Sequence, residues 1–135
     1  MNLPKYLHTR WAANETLNGL LPVASLHTGS HRAVDPTFPY ATITMPGGYN
    51  DGRTNDGVSN EVVTARISIY HGADNYDELV TIAEAVHDAF DGAAFNLGGS
   101  DRCILMHQEG EPDQIQDDRS DWTFVIDFTC RVSKA

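Results

Sequence analysis

Apolar residues recur along this chain in two periods. Between residue 4 and about residue 20, Leu7, Trp11, Leu17, Leu20 and Leu21 fall at roughly helical spacing, Ala12 and Ala13 favour the same state, and Gly19 and Pro22 mark its end. At Tyr40 the period becomes two: Ala41, Ile43 and Met45 face one way, Tyr40, Thr42 and Thr44 the other, up to Pro46. Residues 61–71, EVVTARISIYH, predict a stronger strand, with Val63, Ala65, Ile67 and Ile69 opposite Val62, Thr64, Arg66 and Tyr70. Helical spacing returns in Leu79, Ile82, Ala83, Val86 and Phe90, with Glu84, His87, Asp88 and Asp91 on the far face. Asn75 as N-cap with Glu78 three residues on predicts a capping box, and Gly92 ends the helix. Two strands follow Gly98-Gly99, at 103–109 and 122–132. In the last, Trp122, Phe124, Ile126, Phe128, Cys130 and Val132 alternate with Thr123, Asp127, Thr129 and Arg131.

Two segments break the periodicity. Residues 46–60, PGGYNDGRTNDGVSN, hold four glycines among Asn and Asp, a density of turn formers that predicts a long loop or the tip of a stretched hairpin. Residues 109–121 carry six carboxylates and one arginine and read as an acidic loop. The order of elements predicts an α+β fold: a mainly antiparallel sheet of about four strands packed against the capped amphipathic helix, plus an N-terminal helix. With neither repeat nor linker, residues 1–135 are expected to form a single domain, and a chain of this length buries roughly two-thirds of its unfolded surface.

Composition narrows the function classes. Nine Lys and Arg stand against 19 Asp and Glu, a net charge of −10. Residues 1–70 are balanced at five of each sign, so the excess lies wholly in residues 71–135, with four basic and 14 acidic side chains. Binding that rests on neutralising phosphates requires clustered Lys and Arg, so nucleic-acid wrapping and attraction to anionic lipid are unfavourable. No apolar run approaches the length of a membrane span, and the N-terminus has no signal-peptide pattern, so a soluble, unexported chain is expected. Cys103 and Cys130 lie in strand-like runs outside any CxxC pair. They read as buried reduced thiols, a bridge between neighbouring strands being the other reading.

Candidate chemistry is sparse. Ser30 in HTGSH stands between histidines but lacks a nucleophile elbow. His27 and His31 have the i, i+4 spacing of a metal pair, yet Gly29 lies between them in loop-like text. His87 with Glu84, Asp88 and Asp91 on one helix turn could hold a divalent cation, but reads more simply as a solvated helix face with an imidazole–carboxylate contact. In NDGRTNDG, aligning either glycine with the turn glycine of a calcium loop puts another glycine where the first carboxylate ligand belongs, so that motif fails. Neither a phosphate loop nor a dinucleotide fingerprint is present. No enzyme, cofactor or metal site is expected, which moves weight toward a structural or interaction protein.

Four segments, TFPYATI at 37–43, ARISIYHG at 65–72, DELVTIAEAVHDAF at 77–90 and WTFVIDFTCRV at 122–132, resemble in order and spacing the tail-completion family of long-tailed phages, also described as tail-terminator or tail-to-head joining proteins. The resemblance covers nearly the whole chain. It implies a virion protein of the tail and neck, assembled in the host cytoplasm, that forms a ring, usually a hexamer, at the head-proximal end of the tail tube. There it would stop tube polymerisation and join the tail to the head connector, with no enzymatic activity and no cofactor. Its partners would be its own copies, the tail tube protein and the head connector or adaptor, with DNA passing through the lumen unbound and no membrane. Partner or ring contacts are expected from the two irregular segments: Tyr49, Asp51, Arg53 and Asp56 in one, Glu109, Glu111, Asp113, Asp117, Asp118 and Arg119 in the other. A head-completion or connector adaptor is the alternative among virion proteins. A small metal- or ligand-binding domain using His27, His31 and the Gly/Asp loop, or an enzyme subunit without a recognisable motif, are the alternatives from other classes.

Overall fold

A computed structural model describes residues 3–29, 37–53 and 59–134, with the backbone alone for 48–53 and Ser59. The elements are α1 (Leu3–Ala13), α2 (Glu15–Leu20), a 3-10 turn (Val23–Ser25), β1 (Leu26–Thr28), β2 (Tyr40–Arg53), β3 (Ser59–His71), α3 (Tyr76–Phe90), β4 (Ala93–Gly98), β5 (Asp101–Gln108), β6 (Asp113–Gln116) and β7 (Trp122–Lys134). The strands form one mixed sheet in the order β1-β2-β3-β7-β5-β4, and β6 follows β5 along the same side of β7. All ladders are antiparallel except β1 on β2. The α+β class and the antiparallel bias hold, but the described sheet has seven strands rather than about four.

The added strands have weak sequence signals. β1 is three residues long. β4 carries Ala93 and Leu97 inward, with little β-branched or aromatic character. β6, DQIQ, lies inside the expected acidic loop; all four residues are exposed, so its pairing with β7 rests on backbone hydrogen bonds and leaves no apolar period to read.

The described part of the Gly-rich segment, residues 46–53 and 59–60, is paired strand as in the hairpin reading, and residues 54–58 lie outside the described residues. β2 runs through Pro46, Gly47 and Gly48 because the ladder gains one extra residue between Thr44 and Gly47 and another between Asn50 and Gly52. A bulge at Pro46 accommodates a residue with no N–H to donate. The N-terminal helix is two helices: Asn14 ends α1 and caps α2, its Oδ1 accepting the Leu17 N–H at 3.0 Å. The capping box of α3 does not form. Asn75 makes no side-chain cap bond, and Glu78 instead accepts from His71 Nε2 at 3.0 Å. The Gly72 N–H donates to His71 Nδ1 at 2.9 Å, so the ring carries its proton on Nε2 and presents it to Glu78.

One core sits between the sheet and the helices. Leu3, Leu7 and Trp11 of α1, Leu17 and Leu21, and the α3 stripe Leu79, Ile82, Ala83, Val86 and Phe90 pack on Ile43, Ile67, Ile69, Phe124, Ile126 and Phe128. Trp11 ties the layers together: its indole N–H donates to the Leu21 carbonyl at 2.8 Å and its ring lies 6.2 Å from that of Phe90. Arg10 Nε donates to the Ala89 carbonyl at 2.9 Å, placing a cation at the C-terminus of α3. Cys103 and Cys130 are free and buried. The hydrogen bond between them, with burial, pushes the Cys130 thiol far above its usual range, while the same bond lowers Cys103.

Candidate functional site

The outer half of β2 and the Asp117–Arg119 turn, which carry residues of the two groups expected to meet partners, lie at opposite ends of β7, with Glu109 and Asp113 of the second group between them. Tyr49, Asp51 and Arg53 lie in the outer half of β2, where Tyr49 pairs with Val62 and Arg53 with Ser59, and Ser59 in turn faces Lys134 of β7. Asp56 lies outside the described residues. The β6–β7 turn leaves the sheet at Trp122, the opposite end of β7. At ~3.3 Å per residue the ends of this 13-residue strand are about 40 Å apart. The protein is therefore two-ended.

Within the second group the roles divide. Asp117 builds its own turn, its Oδ1 accepting from the N–H groups of Arg119 and Asp121 at 2.9 Å each. Glu109 accepts from the Thr129 hydroxyl at 2.6 Å. Asp113 opens β6 and, behind Asp127, helps hold the Arg66 guanidinium in its charged form; Arg66 and Asp127 make a two-pronged pair at 2.8 and 3.1 Å. Asp118 is exposed. Arg119 borders a depression of about 350 Å³ beside the stacked rings of Phe38, Tyr40 and Tyr70, whose successive centroids are 5.9 and 4.6 Å apart. Burial, then Tyr70 and Asp117, raise the Tyr40 hydroxyl above its usual range.

Glu111 belongs to a different feature, a cleft of about 630 Å³ beneath the outer side of α3. Val80, Ala83, Pro112 and Phe124 form its apolar floor; Glu84, Asp88, Asp91 and Glu111 supply carboxylates, with His87 and His107 at the rim. Among the described residues, no lysine or arginine lines it. The β4–β5 ladder begins at the Ala93–Met106 pair, so His107 and Gln108 of β5 lie beyond it and line the cleft together with α3. The i, i+4 contact expected of His87 and Asp91 is present at 3.8 Å, and His107 adds an Nδ1 contact to Asp91 at 3.1 Å that the sequence did not suggest. The Gln108 backbone N–H, then His87 and His107, hold the Asp91 carboxyl below its usual range against the opposing effect of burial.

The arrangement supplies carboxylates and imidazoles, with no hydroxyl or thiol nucleophile among the described residues lining it. No cluster suited to a metal ion occurs among the described residues; His27 lies on β1, and His31 and Ser30 fall outside them. No described helix is long and apolar enough to cross a membrane. Sequence reasoning also passed over Ile104 and Leu105, adjacent large side chains that are 50% and 43% exposed. A signal was present, since two consecutive large apolar residues in a half-buried strand cannot both face the core without a bulge.

Comparison with known proteins identifies the family. No curated protein matches the sequence. Among solved structures, a chain described as "Virion of native gene transfer agent (GTA) particle" has the same fold, with a TM-score of 0.73 at 16% identity over 95% of this chain and 92% of that one. Residues 5–133 match the family described as Tail completion protein gp17. The chain thus belongs to the gp17 family of tail completion proteins, structural components of phage-type virions rather than enzymes.

Proposed function

We propose that this chain, acting over residues 1–135 as one domain, forms a closed ring, hexameric in the simplest case, on the head-proximal end of the tail tube, where it stops tube polymerisation and joins the tail to the head connector. The observation that carries this reading is the two-ended form: the β2–β3 hairpin and the acidic β6–β7 turn lie at opposite ends of β7, which suits a protein that must meet the tube on one side and the connector on the other. A ring of identical chains needs heterologous contacts that close by rotation. In a six-fold ring the −10 of each subunit sums to about −60, and carboxylates near the lumen would let DNA slide through by repulsion.

Electron microscopy of particles lacking this chain tests the assignment. Overlong tails beside unjoined heads are expected. Tails of normal length without heads would assign the chain to joining alone, the role of a head-completion adaptor, and normal joined particles would refute both roles.

A further inference from the structure

Two exposed features that include β5 residues, on opposite faces of the sheet, are complementary. The first is the cleft under α3, where Glu84, Asp88 and Glu111 surround Val80, Ala83 and Phe124. None of these three carboxylates has an ion-pair partner among the described residues, so the cleft keeps an unneutralised negative potential that its low-dielectric walls concentrate. The second is a strip on the sheet face away from the helices. The bulge between Cys103 and Leu105 turns Ile104 and Leu105 outward together, with exposed Arg102 beside them and exposed Arg131 opposite Leu105 on β7. Exposed aliphatic side chains flanked by two arginines match an apolar floor ringed by carboxylates.

We propose that the Arg102–Ile104–Leu105–Arg131 strip of one copy docks in the α3 cleft of the next, and that this is the contact that closes the ring. The inference rests on the ring reading above. A chain cannot fill its own cleft in this way, because Ile104 and Leu105 point away from the face on which α3 lies, whereas Cys103 and Met106 point into it. The contact joins two different patches, so it is heterologous and propagates head to tail, as a ring requires. Burying the two aliphatic side chains supplies the apolar drive, and the arginine–carboxylate contacts set the register.

Charge reversal tests the contact. One variant carries Glu84→Lys and Asp88→Lys in the cleft, the other Arg102→Glu and Arg131→Glu on the strip; all four positions are exposed, and circular dichroism and melting check that each variant folds. Sedimentation at matched concentration reads assembly. Each variant alone is expected to lose at least tenfold in association relative to the unmodified chain. An equimolar mixture is expected to recover the unmodified sedimentation, because reversed strips then meet reversed clefts and native strips native clefts in alternation, which closes in a ring of even number. Variants that assemble normally alone, or a mixture that stays dissociated, overturn the contact while leaving the ring reading intact. Normal self-assembly with lost head or tail joining assigns the cleft to another virion protein and likewise overturns it. An unmodified chain that stays monomeric even with tail tube protein present removes the ring reading itself.

Discussion

Replacing Trp11 by phenylalanine measures how far the N-terminal helices belong to the core. Trp11 is fully buried in α1, its indole donates to the Leu21 carbonyl at 2.8 Å, and its ring contacts Phe90 of α3. The substitution leaves the Leu21 carbonyl unpaired in a dry environment, at about 1–2 kcal/mol. The smaller ring also leaves a void of about 40 Å³, which at ~24 cal/mol per Å³ adds about 1 kcal/mol. The sum of about 2–3 kcal/mol corresponds to a drop in Tm of roughly 8–10 °C for a chain of this length. Urea unfolding gives the free energy, and fluorescence locates the change, since the only other tryptophan is the half-buried Trp122. The variant should lose the blue-shifted, acrylamide-resistant component. A loss of stability below 0.5 kcal/mol, with that component absent from the unmodified protein, would mean that α1 and α2 form a peripheral arm and would refute the account of the core.

Two further perturbations test local features. His8 of α1 touches the Thr28 hydroxyl at 3.1 Å, and burial, with His27 nearby, lowers its pKa below the ordinary 6.5. The folded state therefore binds this proton less readily than the unfolded chain. The docking of α1 on β1 is at full strength above pH 6.5 and weakens as pH falls through 6.5 toward the lowered value. Melting of His8→Gln between pH 7.5 and 5.5 should show a shallower decline than the unmodified chain, and parallel curves would refute the coupling. At Gly98, φ is +94° and an added Cβ would lie 2.6 Å from the Tyr6 hydroxyl. Gly98→Ala should cost about 1–2 kcal/mol, most of it backbone strain because the tyrosine tip can move aside. Adding Tyr6→Phe should recover only a small part, and full recovery would show that the contact dominates.

The parts legible in the sequence are those that bury a periodic apolar face. Ile67 and Ile69 on β3, Phe124 to Val132 on β7, and Leu79 to Phe90 on α3 lie in the core as their spacing predicts, because removal of apolar surface from water is large and non-directional and needs only the correct face. Strands β1 and β6 were not legible, since a short or wholly exposed strand is held by backbone pairing to a neighbour that the local sequence does not name, and β4 was missed because its few inward residues, Ala93 and Leu97, give no strong β period. The same limit applies to Glu78. Its spacing from Asn75 spells a capping box, but His71, brought in at the end of β3, takes the carboxylate instead.

The candidate surfaces divide in the same way. The acidic excess of residues 71–135, the lack of a catalytic motif and the resemblance to tail-completion proteins all follow from residue type and order. How the charge is partitioned does not. Asp117 spends its carboxylate on its own turn and Glu109 on Thr129, whereas Glu84 and Asp88, which read as an ordinary solvated helix face, line a cleft with residues of β5, β7 and the β5–β6 junction that the sheet pairing brings beside α3. Sequence by itself determined which faces are apolar and how much charge the chain carries, because both are properties of residues taken in order. Only the tertiary structure decided which charges remain unpaired and which apolar side chains stay outside, because both depend on long-range pairings in register.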